Sequence, residues 1–233
     1  MCTVTFLPLT SNNFILTSNR DEQKYRETLP PNCYVENGVK MFFPKDNEAG
    51  GTWIGTSSKN RLVCVLNGAF VKHERKDKYR KSRGVIAKEM LQVTTLKKYI
   101  EKLNLEEIEP FTMVILDWNN DQLNLFELIW DGVEKYVTKL KNEPKIWSSS
   151  TLYDTKIKAV RKKLFLNWLE NNEFTSGNIL SFHHSEMGDK EQSVLMKRSY
   201  VETVSITSVK KETLAIEMLY EDVVQSKITT LKY

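Results

Sequence analysis

Residues 111–118 and 123–130 are two runs rich in branched and aromatic side chains, separated by the turn formers Asn119, Asn120 and Asp121. Such a pattern closes on itself as an antiparallel hairpin. Both runs are apolar almost throughout, so both strands are expected to be largely buried. The same logic pairs residues 2–7 with 14–18 across Thr10-Ser11-Asn12-Asn13, which puts Asn19-Arg20-Asp21-Glu22 just past a strand end. A nearly structureless stretch marked by Pro30-Pro31 follows, before residues 39–43 return to strand-like composition. Residues 50–55 and 61–66 form another hairpin around Ser57-Ser58-Lys59-Asn60, closed by Asn67-Gly68.

Residues 84–92 and 96–103 make one helical region. A better helix begins near Asp154, its expected N-cap, because Ile157, Val160, Leu164 and Trp168 recur at three- and four-residue steps. The opposite, solvent-facing side would carry Lys158, Arg161, Lys162 and Asn172. Late strands span 201–209 and 214–220. Strand pairs, then helices, then strands describe antiparallel sheets covered by helices.

A chain of 233 residues with 40% hydrophobic content buries a substantial core, as one large domain or two small ones. The net charge of +4 is modest, and its basic and acidic residues are interspersed, which argues against nucleic acid as a partner. The exception is residues 72–83, with seven basic side chains and two acids. It reads as a solvated loop, with an anionic ligand or a membrane surface as the alternative. The three cysteines, Cys2, Cys33 and Cys64, cannot all pair and lack zinc spacing, so no metal site is expected and reduced thiols are. No apolar run approaches the roughly 20 residues of a membrane span, and residues 3–9 are too short for a signal-peptide core. A soluble, cytoplasmic protein is expected.

The chemistry begins at Cys2, directly after Met1. Once Met1 is removed, thiol and α-amine share one residue. The amine titrates at about 7.7 to 8.0 and the thiol near 8.5, so the amine can take the thiol's proton at neutral pH. The structural alternative is a small hydrophobe packed in the first strand.

Cys2, Asn19-Arg20-Asp21-Glu22, Glu48-Ala49-Gly50-Gly51-Thr52-Trp53-Ile54-Gly55, Asn67 and Ser82-Arg83-Gly84 together resemble the NRDE family, that of transport and Golgi organisation protein 2. That family in turn resembles the N-terminal nucleophile hydrolases, especially the choloylglycine hydrolase and penicillin V acylase branch. The resemblance is strongest over roughly the first 90 residues and implies a single domain over 1–233. It also implies an α+β fold, a four-layer αββα sandwich of two antiparallel sheets flanked by helices. Two departures stand out: Ser18 occupies the place of an Arg in the hydrolase branch, with Arg20 inside the motif instead, and Ser148-Ser149-Ser150-Thr151 lacks an Asn found there.

In this frame Cys2 attacks an amide carbonyl and forms a thioester that water releases. Asp21 holds the α-amine or orients the thiol, its alternative being a turn cap. Arg20 favours the thiolate or grips a substrate carboxylate, or else pairs with Glu22. Asn67 donates to the developing oxyanion, or belongs to a turn with Gly68. Trp53 stands as a pocket wall beside Gly50 and Gly51, or as core. Arg83 is an anion contact at a helix start, and Asn19 is a substrate-binding candidate that also supports its own turn. His73, His183 and His184 lie outside the motif cluster. The reaction requires no cofactor. The rival reading is a non-catalytic protein that holds haem, an acyl-CoA or another lipid in the same cleft, with Cys2 or a His as an iron ligand.

Overall fold

The computed structural model describes residues 3–10, 12–119, 122–186 and 190–233. In chain order the elements are β1 (Thr3–Pro8), β2 (Phe14–Glu22), β3 (Thr28–Glu36), β4 (Val39–Asp46), β5 (Ile54–Ser57), β6 (Arg61–Asn67), α1 (Arg83–Gln92), α2 (Leu96–Lys102), β7 (Phe111–Asp117), β8 (Asn124–Trp130), β9 (Lys135–Leu140), β10 (Lys145–Ser148), α3 (Thr155–Asn171), α4 (Ser176–His183), β11 (Glu202–Glu212), β12 (Ala215–Asp222) and β13 (Lys227–Lys232). They form two compact units: a first of Met1–Arg26 with Glu143–Tyr233, and a second of Glu27–Asn142. Each unit is one antiparallel sheet bearing two helices. The fold class is thus α+β, as the sequence led us to expect.

The second unit is a seven-stranded meander in the order β3-β4-β5-β6-β7-β8-β9. The register Val63↔Ile115 and Val65↔Met113 continues as Met113↔Leu128 and Phe111↔Trp130, so these side chains share one face. Ile86, Ala87, Met90 and Leu91 of α1 and Leu96 and Ile100 of α2 pack onto it. Leu62, Cys64, Leu66, Val114 and Leu116, of opposite parity, are also buried, which explains the unbroken apolar runs. Ser82 caps α1 through Val85 N. At its other end Arg61, paired with Asp117 at 2.7 Å, donates to Met90 O and Val93 O.

The Pro-marked stretch is not structureless. It is β3, paired with β4 and interrupted by a register shift between Leu29 and Asn32, where the two prolines fall. An edge strand tolerates Pro because one of its sides needs no ladder donors.

The first unit is a six-stranded sheet in the order β10-β1-β2-β11-β12-β13. Leu7 and Ile15 on one face pack with Phe165 and Trp168 of α3 and Ile179 and Phe182 of α4. Here the sequence reading needs three corrections. The tetrad Asn19-Arg20-Asp21-Glu22 lies within β2, because β11 supplies ladder partners as far as Glu22↔Glu202. The α3 helix is capped by Asp154 as expected, yet its buried face is rotated: Arg161, Phe165 and Trp168 are inside while Val160 is 54% exposed. Finally, β10, β13 and α4 went unread, as did β9 of the second unit. β7 and β8 pair antiparallel as expected, and of the turn formers read between them Asn120 and Asp121 lie outside the described residues.

Candidate functional site

Side chains alternate along β2, so Thr17, Asn19 and Asp21 share the face covered by α3 and α4. Thr17 bonds Ser208 across the sheet at 2.8 Å. Asn19 spends both amide protons on main-chain carbonyls, His183 O at 3.1 Å and Val194 O at 2.8 Å. Its oxygen is then the acceptor for His183 Nδ1–H at 2.6 Å, which leaves Nε2 to accept from the Thr5 hydroxyl at 2.7 Å. His183 is therefore a neutral imidazole with an assigned tautomer. Burial, reinforced by the positive charges of His184 and Arg161, lowers its pKa to about 3. Asn19 thus ties the end of α4 and the segment at Val194 to β2, and His183, set apart from the motifs in the sequence, is bonded to one of them.

Asp21 is 2% exposed. Its Oδ2 accepts from Tyr153 Oη at 2.8 Å and its Oδ1 from Thr203 Oγ1 at 2.6 Å. Thr203 accepts in turn from Met196 N at 3.0 Å. The Tyr153 ring lies under two cations, Arg161 with its guanidinium carbon 3.6 Å from the centroid and Arg198 at 5.4 Å. Arg161 also donates to Thr3 Oγ1, Gln192 O and Ser193 O. Sequence reasoning missed Tyr153, Thr203 and His183, which meet the tetrad across more than 100 residues, and Arg161, which meets Thr3 across as long a separation. The only local signal was an Arg at a helix position whose neighbours in the heptad sense are apolar.

Arg20, one residue earlier than Asp21 on β2, has the opposite parity and stands in register with Ser205. It is 3% exposed, so it is no surface side chain, and Glu22 is engaged by Arg26 Nη1 at 3.2 Å. The segment lacking the hydrolase Asn runs out of β10, whose Ser148 is paired with Thr3, and Ser149 bonds Thr151 at 2.9 Å. Cys2 lies outside the described residues. Thr3, its chain neighbour, is in register with Asn19 on β2.

Asn67, Trp53 and Arg83 belong to the second unit. Asn67 ends β6 opposite Phe111, and Gly68 follows at φ +81°, a backbone angle that favours glycine. Gly68 N and Arg83 Nη1 both donate to Pro110 O, at 3.0 and 3.3 Å, so the end of β6 and the start of α1 converge on one carbonyl. Arg83 is also paired with Glu109 at 3.1 Å, whose other oxygen meets His73 Nε2 at 3.4 Å. Trp53 is buried, and its carbonyl accepts from Val65 N at 2.8 Å. Gly50 has φ +65° and turns back onto Asp46 O. Gly51 has a different task. A Cβ there would fall 2.5 Å from Gly84 C, so the glycines of the two motifs permit main chain to touch main chain.

The second unit also holds a cavity of about 550 Å³ between α2 and the sheet. Its apolar lining is Leu96, Ile100, Phe126 and Val137, with Lys97 and Lys135 among the polar groups. Lys135 donates to Ile100 O, Glu101 O and Leu103 O, and burial lowers its pKa. Among the described residues no cluster of His, Cys, Asp or Glu could hold a metal ion, and no helix is long and apolar enough to cross a membrane.

The sequence pattern described as Transport and Golgi organisation 2 matches residues 1–223. No curated protein matches. Among solved structures, penicillin V acylase from Agrobacterium tumefaciens superposes with a TM-score of 0.60 at 10% identity, covering 99% of this chain and 86% of the acylase. A single-residue variant of conjugated bile acid hydrolase from Clostridium perfringens gives 0.57 at 11% identity, over 99% of this chain and 92% of the other. An N-acylethanolamine-hydrolyzing acid amidase ortholog from Caenorhabditis elegans gives 0.60 at 10% identity, over 89% of this chain and 92% of the amidase. At these identities the likeness is one of fold, that of the N-terminal nucleophile hydrolases.

Proposed function

This chain belongs to the Transport and Golgi organisation 2 family, and we propose that it is a cysteine amidohydrolase of the N-terminal nucleophile kind. It would cleave a non-peptide C–N bond in a small amphipathic amide, in the cytoplasm. The observation that carries this reading is the Asp21 carboxylate: buried, ordered by two hydroxyl donors, and two strand positions from Asn19, which pairs with the residue after Cys2. A hydrolase, an acylase and an amidase among the structures of like fold support it.

In this mechanism the α-amine of residue 2 takes the thiol proton and Asp21 orients that amine. The thiolate adds to the amide carbonyl, whose oxygen takes up the charge. Collapse expels the amine with its returned proton, leaving a thioester that water hydrolyses to the acid. Arg20 is the candidate contact for an anionic group of the substrate. The test is hydrolysis of a panel of N-acyl amides by wild type and Cys2→Ala. Loss of turnover to background in the variant is expected. Activity unchanged by the substitution would place the chemistry elsewhere.

A second reading, a protein that holds haem or an acyl-CoA without cleaving it, is favoured by the apolar cavity of the second unit. Its fit to haem through histidine is poor, since His73, His183 and His184 are already engaged by Glu109, Asn19 and Glu221. On this reading Val137→Asp, at a position 45% exposed, weakens binding of a long-chain acyl-CoA at least tenfold in calorimetry. Equal affinity in both proteins would exclude the cavity as the holding site.

A further inference from the structure

Arg161 is among the largest fully buried side chains of the chain, at 1% exposure. A guanidinium in that position ordinarily has a carboxylate beside it, because an ion taken out of water and left without a counter-charge is expensive. Among the described residues, none is in contact with Arg161. Its hydrogen bonds go to neutral oxygens: the Thr3 hydroxyl and the carbonyls of Gln192 and Ser193. The anion aligned with it is Asp21, reached through Tyr153, whose ring stacks under the guanidinium at 3.6 Å and whose hydroxyl donates to the carboxylate. A cation on the ring makes the phenol a better donor, so charge on Arg161 strengthens the bond that holds Asp21.

Both ends of this arrangement bear on the same place. Thr3 is joined to Cys2 by one peptide bond, about 3.8 Å between consecutive Cα atoms, and Asp21 is the group assigned to the α-amine of residue 2. Other charged or titratable groups around it include Arg198, the second cation over Tyr153, His183, which is neutral, and His184 beside it. Arg161, on α3, therefore places its positive charge at Thr3, the start of β1.

We propose that Arg161 is a positioning residue of the N-terminal site. It fixes Thr3 directly and Asp21 through Tyr153, and its charge favours the thiolate of Cys2. This inference rests on the amidohydrolase reading above and names a residue that reading does not use.

The experiment measures the alkylation rate of each cysteine by iodoacetamide at pH 7, read by peptide mass, in wild type, Arg161→Met, Arg161→Lys and Tyr153→Phe. Cys33, which is exposed, serves as the internal standard, and the thermal midpoint of each variant reports loosening of the fold. Loss of the cation raises the thiol pKa by about one unit, so Cys2 in Arg161→Met is expected to react about tenfold more slowly relative to Cys33. Arg161→Lys, which keeps the charge, should recover most of the rate. Tyr153→Phe, which keeps the ring but not the hydroxyl, should fall between. A merely structural role would lower the thermal midpoint and leave the Cys2 to Cys33 ratio unmoved, and that result overturns the proposal. Should Arg161→Met not fold, a wild-type ratio in Tyr153→Phe together with an Arg161→Lys ratio as low as that of an unfolded chain overturns it equally. A wild-type chain that retains Met1 sinks the amidohydrolase reading itself, and this inference with it, which separates the two failures.

Discussion

Asp21 and His183 are both buried polar groups, and a different measurement tests each. Removing a donor from a buried carboxylate leaves desolvation uncompensated, at about 1 to 3 kcal/mol. Thr203→Val keeps the shape of the side chain and deletes the 2.6 Å bond to Asp21, so it is expected to destabilise by that amount in urea denaturation at pH 7. A change below about 0.5 kcal/mol would mean that the bond contributes little. His183 acts through protons. Its folded pKa of about 3 lies below the ordinary histidine value of 6.5, so between these values the unfolded chain binds a proton that the native one refuses. Stability is then intact above about pH 6.5 and is lost as pH falls toward 3, at up to about 1.4 kcal/mol per unit. Between pH 7 and pH 5 this amounts to about 2 kcal/mol. His183→Gln should remove that share of the pH dependence, and a variant with the slope of wild type would refute the assignment.

Among the strands, helices and turns, the motifs that look functional divide into those that hold chemistry and those that let backbone meet backbone. Gly51 belongs to the second kind. Gly51→Ala drives a Cβ to 2.5 Å from Gly84 C and should destabilise by about 1 to 3 kcal/mol, whereas Gly177→Ala in α4, with nothing within 4 Å, should be neutral or stabilising by up to about 1 kcal/mol. Thermal melts of the two variants test this, and equal effects would contradict it. The pairings of β7 with β8 and of β1 with β2 were legible because their pattern is local: branched and aromatic runs around turn formers. The β3 strand was not, because Pro30 and Pro31 signal a break, and only a place at the sheet edge reconciles them with pairing. The α3 helix was half legible. Its cap and period could be read, but a buried Arg161 and an exposed Val160 invert the polarity on which the choice of face depends.

Over the entire chain, the α+β class and the family could be read from the first 90 residues, while the support of the site could not. Asn19, Arg20 and Asp21 announce themselves as a motif. Tyr153, Arg161, His183 and Thr203, which bond or stack to make that motif rigid, come from the far end of the chain and carry no pattern of their own. Local spacing encodes strands and caps, whereas a buried hydrogen-bond network is specified only once the sheet order β10-β1-β2-β11 brings its members together. Catalysis as proposed depends on residue 2 supplying both nucleophile and base. That is tested by the intact mass of the purified chain before and after brief exposure to a reactive N-acyl amide, quenched in acid. A chain that begins at Cys2 and gains one acyl group on that residue is the expected result. A chain that keeps Met1, or one that begins at Cys2 and takes up no acyl group from any amide it hydrolyses, would contradict it.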